Sequence, residues 1–270
     1  NASTGRFTMS FKNTNVAHIH GKATAGSAHV ALSADGTEFQ VEDSKASLSA
    51  GYLEVGGQYN NLSLNRQSSV IIGYQAMHSV MTGDADPERN VAIGRGALMN
   101  ANDGADDKNV AIGFQSLGNL RGGGGNIAIG DQAMYGYQKA LGASGGGTDD
   151  YTTGVSNVAI GQASLLNIIS GNYNVAVGQL SLTNLTTGTS NVAIGYTAGQ
   201  SLTTGGENML IGKGAGVKIT SSGANTLVGN NAGYQITTSS GQYNTGIGTY
   251  ALYKAGGDTG NNIAIGYYAI

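Results

Sequence analysis

One five-residue phrase returns eleven times along this chain, and no other feature constrains the fold as much. It reads SVIIG at 69–73 and then varies as NVAIG, NIAIG, NVAVG, NMLIG, NTLVG and NTGIG. The ten later copies open on Asn90, Asn109, Asn126, Asn157, Asn174, Asn191, Asn208, Asn225, Asn244 and Asn262. They close on Gly94, Gly113, Gly130, Gly161, Gly178, Gly195, Gly212, Gly229, Gly248 and Gly266. From one closing glycine to the next the steps are 21, 19, 17, 31, 17, 17, 17, 17, 19 and 18. The base period is therefore 17, with one large insertion of 14 (31 minus 17) that falls within 135–156.

The phrase alternates, which predicts a short strand. Val and Ile share one face, and Asn, Ala and Gly the other. The larger face is expected to fill an interior and the smaller one to let another backbone approach. On that assignment Ile194→Asp puts a charge in the interior. After each glycine come two free positions, then Ala or Ser, then Leu, Met or Gly, as in Gln162-Ala163-Ser164-Leu165. An apolar residue follows three later: Val80, Leu120, Ile168, Leu185. This half reads as one or two turns of helix ended by a glycine, or equally as a second short strand. A turn such as Thr186-Thr187-Gly188 leads to the next Asn. Stacked once per coil, the asparagines can hydrogen-bond along a ladder. The glycine column suits tight turns or close backbone approach.

A 17-residue unit cannot bury its own apolar face, whereas stacked units can, and this predicts a solenoid. Composition agrees. Glycine makes up 46 of 270 residues with a single Pro, which excludes collagen, and charged residues are only 11%. With so few large side chains a solitary coil is marginal, so several chains around one axis are expected. There is no Cys, and the formal charge of −3 offers no basic field for nucleic acid or an anionic membrane. No run of about 18 apolar residues predicts membrane insertion. No signal peptide is visible, and the opening Asn1 points to a fragment or a processed product.

Residues 1–68 lack the repeat and read as a separate small β-region, with a hairpin signal at Ala34-Asp35-Gly36. The solenoid is expected over 69–270. His18 and His20 stand two apart, on one face of a strand. Three copies on an axis would offer six imidazoles to a transition metal, against the plainer reading of two solvated histidines. Otherwise no cofactor is expected. Acidic groups at Asp84, Asp86 and Glu88, at Asp103, Asp106 and Asp107, and at Asp149 and Asp150 match no calcium motif and read as solvated loop charge. Gly122–Gly125 is no phosphate loop. The insertion carries Tyr135, Tyr137, Lys139, Asp149, Asp150 and Tyr151, a set suited to receptor binding because solenoid insertions often emerge on the binding face. Tyr74, Tyr173, Tyr196, Tyr234, Tyr243, Tyr267 and Tyr268 fall at repeat-linked positions, where they decorate or pack the shaft.

The phrase with its following x-x-Ala resembles the SVAIG repeats of trimeric autotransporter adhesin heads. It looks more like the repeats of tailed-phage tail fibres that carry a C-terminal endosialidase-type chaperone. Val192-Ala193-Ile194-Gly195-Tyr196-Thr197-Ala198-Gly199 and the turn Thr186-Thr187-Gly188 carry the likeness, over about residues 69–270. The period of 17 departs from the adhesin heads, which usually repeat every 14. The resemblance implies a mainly β fold, an intertwined parallel homotrimer with two identical partner chains, and a place in a virion tail fibre. Its function would be attachment, without enzyme activity, to a host cell-surface glycan or outer-membrane protein. A bacterial surface adhesin head and a polysaccharide-degrading tailspike are the alternatives.

Overall fold

The computed structural model describes residues 18–24, 27–34, 37–39, 61–66, 69–78, 88–101, 106–136, 151–237, 241–253 and 260–270. The chain divides into two compact units, Asn1–Glu54 and Val55–Ile270. In the first, β1 (His18–Thr24), β2 (Ser27–Ala34) and β3 (Thr37–Phe39) form an antiparallel sheet in that order. Ala34 pairs with Thr37, as the hairpin signal between them requires.

The second unit is a β-solenoid. It opens with β4 (Asn61–Arg66), antiparallel to β5 (Ser69–Gly73). From β5 onward every neighbour is parallel and next in sequence: β6 (Val91–Ile93), β7 (Val110–Ile112), β8 (Ile127–Ile129), β9 (Val158–Ile160), β10 (Val175–Val177), β11 (Val192–Ile194), β12 (Met209–Ile211), β13 (Thr226–Val228), β14 (Thr245–Ile247) and β15 (Ile263–Ile265). These are the eleven phrases, and they stack in strict register: Val175 opposite Val192, Ala176 opposite Ala193, Val177 opposite Ile194. Each strand bonds both neighbours, as when Val175 N–H donates to Asn191 O (2.8 Å) and Gly178 N–H to Ile160 O (2.7 Å). A solenoid has no sequence-distant strand to find, because each coil closes on the one before it.

The asparagine ladder forms, and it is buried. Asn191 Nδ2 donates to Asn174 Oδ1 (3.0 Å) and to Gly205 O (2.9 Å), while its backbone N–H donates to the same Asn174 Oδ1 (3.0 Å). The pattern repeats from Asn157 to Asn244. Ser69 begins the column, its Oγ accepting from Asn90 N–H at 3.0 Å. The closing glycines stack equally tightly. Gly195 has φ +138°, and a Cβ there would lie 2.5 Å from Gly212 O, so no side chain fits.

The segment after each glycine is neither helix nor strand. Gly161 O accepts from Ser164 N–H (3.3 Å) to close a β-turn whose third residue, Ala163, has φ 54°. Leu165 follows at φ 50°, and its N–H donates to Ser181 O of the next coil (3.0 Å). A helix needs negative φ throughout and bonds four residues back; these N–H groups alternate between a local turn and the adjacent coil. The left-handed conformation costs a non-glycine residue about 1 kcal/mol, which burying the leucine repays.

The strand faces are the reverse of the sequence expectation. Ala193 is fully buried and Ile194 is 40% exposed, and the same inversion holds from β6 to β15. A coil this narrow has room inside the strand for only a small residue, because the turn opposite sends in Leu165 or Leu182, and the corner beyond it sends in Ile168 or Leu185. Volume is exchanged between the two sources. Where the strand carries Ala176, the turn carries Leu182; where it carries Leu210 or Leu227, the turn carries Gly216 or Gly233. A Cβ on Gly216 would meet Leu210 Cδ2 at 2.8 Å, and one on Gly233 would meet Leu227 Cδ1 at 2.5 Å. Gly246 in the strand is matched in turn by Leu252.

Two outcomes follow from this packing. Ala193→Asp buries a charge and should lower stability by roughly 3 kcal/mol or more in thermal unfolding, whereas Ile194→Asp should leave the coil folded by circular dichroism. In a double-mutant cycle, Leu210→Ala and Gly216→Leu should each destabilise, by about 2–3 kcal/mol through cavity and overpacking respectively. The pair should recover at least about 1 kcal/mol of the sum in denaturant melts.

Candidate interaction surfaces

Turning Val and Ile outward creates the most extended apolar feature among the described residues. Two columns run along the sheet. One comprises Val91, Val110, Ile127, Val158, Val175 and Val192, and the other Ile93, Ile112, Ile129, Ile160, Val177 and Ile194. Each side chain is covered above and below by its equivalents and is open laterally; Ile72, Ile160, Ile194 and Ile247 all stand exposed. Monomeric soluble proteins rarely leave so large an apolar strip uncovered.

A second surface is the corner after the turn. Five coils are longer than 17 residues, while coils of 17 run through this corner without interruption. The coil with the large insertion is left after Gly136, whose N–H donates to Leu166 O (2.9 Å). It is rejoined at Thr152, which bridges to Leu120 and is fully buried, its Oγ1 donating to Ile168 O (2.9 Å). Thr152 thus takes the interior place that Leu120 and Ile168 hold in the coils on either side.

The residues assigned to receptor binding separate on inspection. Tyr137, Lys139, Asp149 and Asp150 lie outside the described residues. Tyr135 is a wall residue, 9% exposed, with its ring over Gly118, where a Cβ would come within 2.6 Å of it. Burial removes that ring from any surface role. Tyr151 is half-buried, with the Arg121 guanidinium 4.3 Å from its ring centroid. His18 and His20 occupy alternate positions of β1, opposite Ser33 and Ala31. Among the described residues, no three His, Cys, Asp or Glu side chains group as a metal site.

Asp106 and Asp107 are not solvated loop charge. Asp106 is fully buried, and its Oδ1 accepts from Gly122 N–H (2.6 Å) and Gly123 N–H (2.9 Å). The glycine run thus cradles an anion after all, but one from its own chain. Asp107 accepts from Glu88 N–H (2.7 Å) and pairs with Arg89 (3.2 Å). Asp84, Asp86 and Asp103 lie outside the described residues.

The other tyrosines divide into packed and free. Tyr234 stacks on Tyr253 at 5.2 Å with Lys218 Nζ 4.7 Å from its centroid, and Tyr250, Tyr267 and Tyr268 continue the network. Arg95 sits between Tyr74 (5.7 Å) and Phe114 (5.8 Å) in the same manner. Tyr173 and Tyr243, in contrast, are 63% and 61% exposed. Sequence reasoning missed both the outward apolar columns and this division; strand alternation defines two faces but not which of them is interior.

Comparison with family models, with curated protein sequences and with solved structures finds no match for this chain. Its reading therefore rests on its own geometry. Asp106→Ala should strand the Gly122 and Gly123 N–H groups and lower stability by about 2 kcal/mol in thermal unfolding. Unchanged stability would mean that these amides find water instead.

Proposed function

We propose that this chain is a structural fibre segment that assembles as a parallel homotrimer and displays receptor-binding loops for attachment to a host surface, as in the tail fibre of a phage or phage-like particle. The observation that carries this reading is the double column of outward Val and Ile. Its period is the strand spacing, about 4.8 Å, so the surface that fits it best is the same periodic surface on a second copy in register. Three such faces around an axis bury the strip with no free edge. The large insertion supports the display role, because β8 and β9 on either side of it keep one-to-one register.

In this reading the chain does no chemistry. The rod holds its loops at a distance from the particle, and three copies add avidity. The partners are two identical chains and a host cell-surface glycan or outer-membrane protein, and the location is extracellular.

Light scattering tests the assembly. The expected mass is three times 27.2 kDa, or 81.6 kDa, and a stable single copy would overturn the proposal. Ile160→Asp with Ile194→Asp should release folded single chains, seen as a threefold fall in mass with an unchanged β spectrum. Binding of labelled chain to bacterial envelopes treated with protease or with periodate tests attachment and separates a protein receptor from a glycan. No binding to any untreated envelope across a bacterial panel would remove the attachment role.

A further inference from the structure

We propose that Glu207 of one chain pairs with Lys213 of the next around the fibre axis, and that this ion pair fixes the register in which the chains assemble. This rests on the homotrimer reading above and names one contact within it.

The apolar strip cannot set a register by itself. Its Val and Ile columns repeat at every strand spacing, so two strips slid by one coil, about 4.8 Å, still meet over nearly their whole length. A mark can sit only on the borders of the strip. One border is the residue before each repeat asparagine, and the other is the residue after each closing glycine. Along β12 exposure alternates: Glu207, Met209 and Lys213 are exposed, while Asn208 and Leu210 are buried. Glu207 and Lys213 therefore lie on the two borders of one coil. From β9 to β15 every other border residue is neutral. Among the described residues neither side chain has a hydrogen bond or ion pair within its own chain. Lys218, the third charged side chain described after residue 150, lies over Tyr234 instead.

Symmetry brings the two together. A rotation axis parallel to the stack sets one border of each strip against the opposite border of its neighbour, at the same height. Residues of the same coil then meet, and at β12 these are a carboxylate and an ammonium. A chain slid by one coil would put its Glu207 and Lys213 against Asn230 and Ala224, or against Tyr196 and Ser190. The ion pair is lost in either direction, whereas the apolar contact barely changes. At β6 the same rule brings Arg89 to Arg95, but Arg89 already holds Asp107 at 3.2 Å and Arg95 lies between two rings. An ion pair on an exposed border adds little affinity; its effect is to select one alignment among near-equivalent ones.

Carbodiimide coupling of the full assembled chain tests this. The reagent joins a carboxylate to an amine in direct contact as an amide and takes up the water that leaves. Covalent species of two and three chains should form, and peptide mapping by mass spectrometry should find Glu207 joined to Lys213. Lys213→Arg keeps the charge but cannot be coupled in this way; it and Glu207→Gln should each remove the cross-link. At low salt Glu207→Lys should raise the concentration for half-assembly roughly ten-fold, Lys213→Glu added to it should restore assembly, and high salt should erase the difference. Lys108 stands in the same column, so a lysine at 207 is compatible with the fold. Any of three results overturns the pairing: Lys108 joined to Asp131, which reports a chain slid by one coil in either direction; an assembled chain in which Glu207 and Lys213 are never joined; or a double reversal that assembles no better than Glu207→Lys. The mass measurement keeps the two readings apart. An assembled chain without the cross-link fails this pairing alone, whereas a single-copy chain fails the fibre.

Discussion

A buried carboxamide, repeated once per coil, holds this solenoid together. From Asn126 to Asn244 each Oδ1 accepts two hydrogen bonds from the asparagine of the following coil, one from its backbone and one from its side chain, as Asn174 does from Asn191. From Asn90 to Asn208 each Nδ2 also reaches a carbonyl across its own coil, as Asn191 does to Gly205. One side chain thus ties strand to turn within a coil and coil to coil along the axis. Burying an amide without partners would be costly, and here every coil supplies the partners of the next. A coil slipped by one residue would lose all three bonds at once, so register is enforced far more strictly than a three-residue strand could manage alone.

Around that spine the packing follows a rule of constant volume. From β6 to β14 each coil takes at most one large side chain from strand plus turn, in either position: Ala176 with Leu182, Leu210 with Gly216, Gly246 with Leu252; the coil of Ala193 and Gly199 takes none, because Leu182 and Leu210 of its neighbours fill that space. Backbone stacking at the glycine column prevents the coil from widening, so excess volume cannot be accommodated by breathing. The β-branched residues are left with the outer surface. Their exposure is a geometric consequence of a core too slender to hold them, and it leaves each chain with a face that only another periodic face can cover.

Much of this was legible in the sequence. The period of 17, the eleven strands, the asparagine ladder and the glycine column are all identity patterns, and stacking turns identity into contact. Which face is interior was not legible. Hydrophobicity ranks Ile194 above Ala193, but the inward place went to the residue that fits. The spacing of Leu182 and Leu185 imitates a helix, because the turn that Leu185 N–H closes on Leu182 O also brings positions three apart to one side, although Leu182 itself is left-handed. At the candidate sites, Tyr135 sat at the edge of the insertion yet belongs to the wall, since Gly118 beneath it leaves room for a ring. Asp106 looked solvated because the amides that hold it come sixteen and seventeen residues later.

The upper face of each coil fits the lower face of any other, as the unbroken one-to-one pairing from β9 to β13 makes plain. Removing or duplicating one unit of 17 residues would therefore join like to like and heal without a scar. Rod length becomes quantised, in steps of about 4.8 Å. Recombination between units could retune the reach of the molecule without redesigning any part of its cross-section.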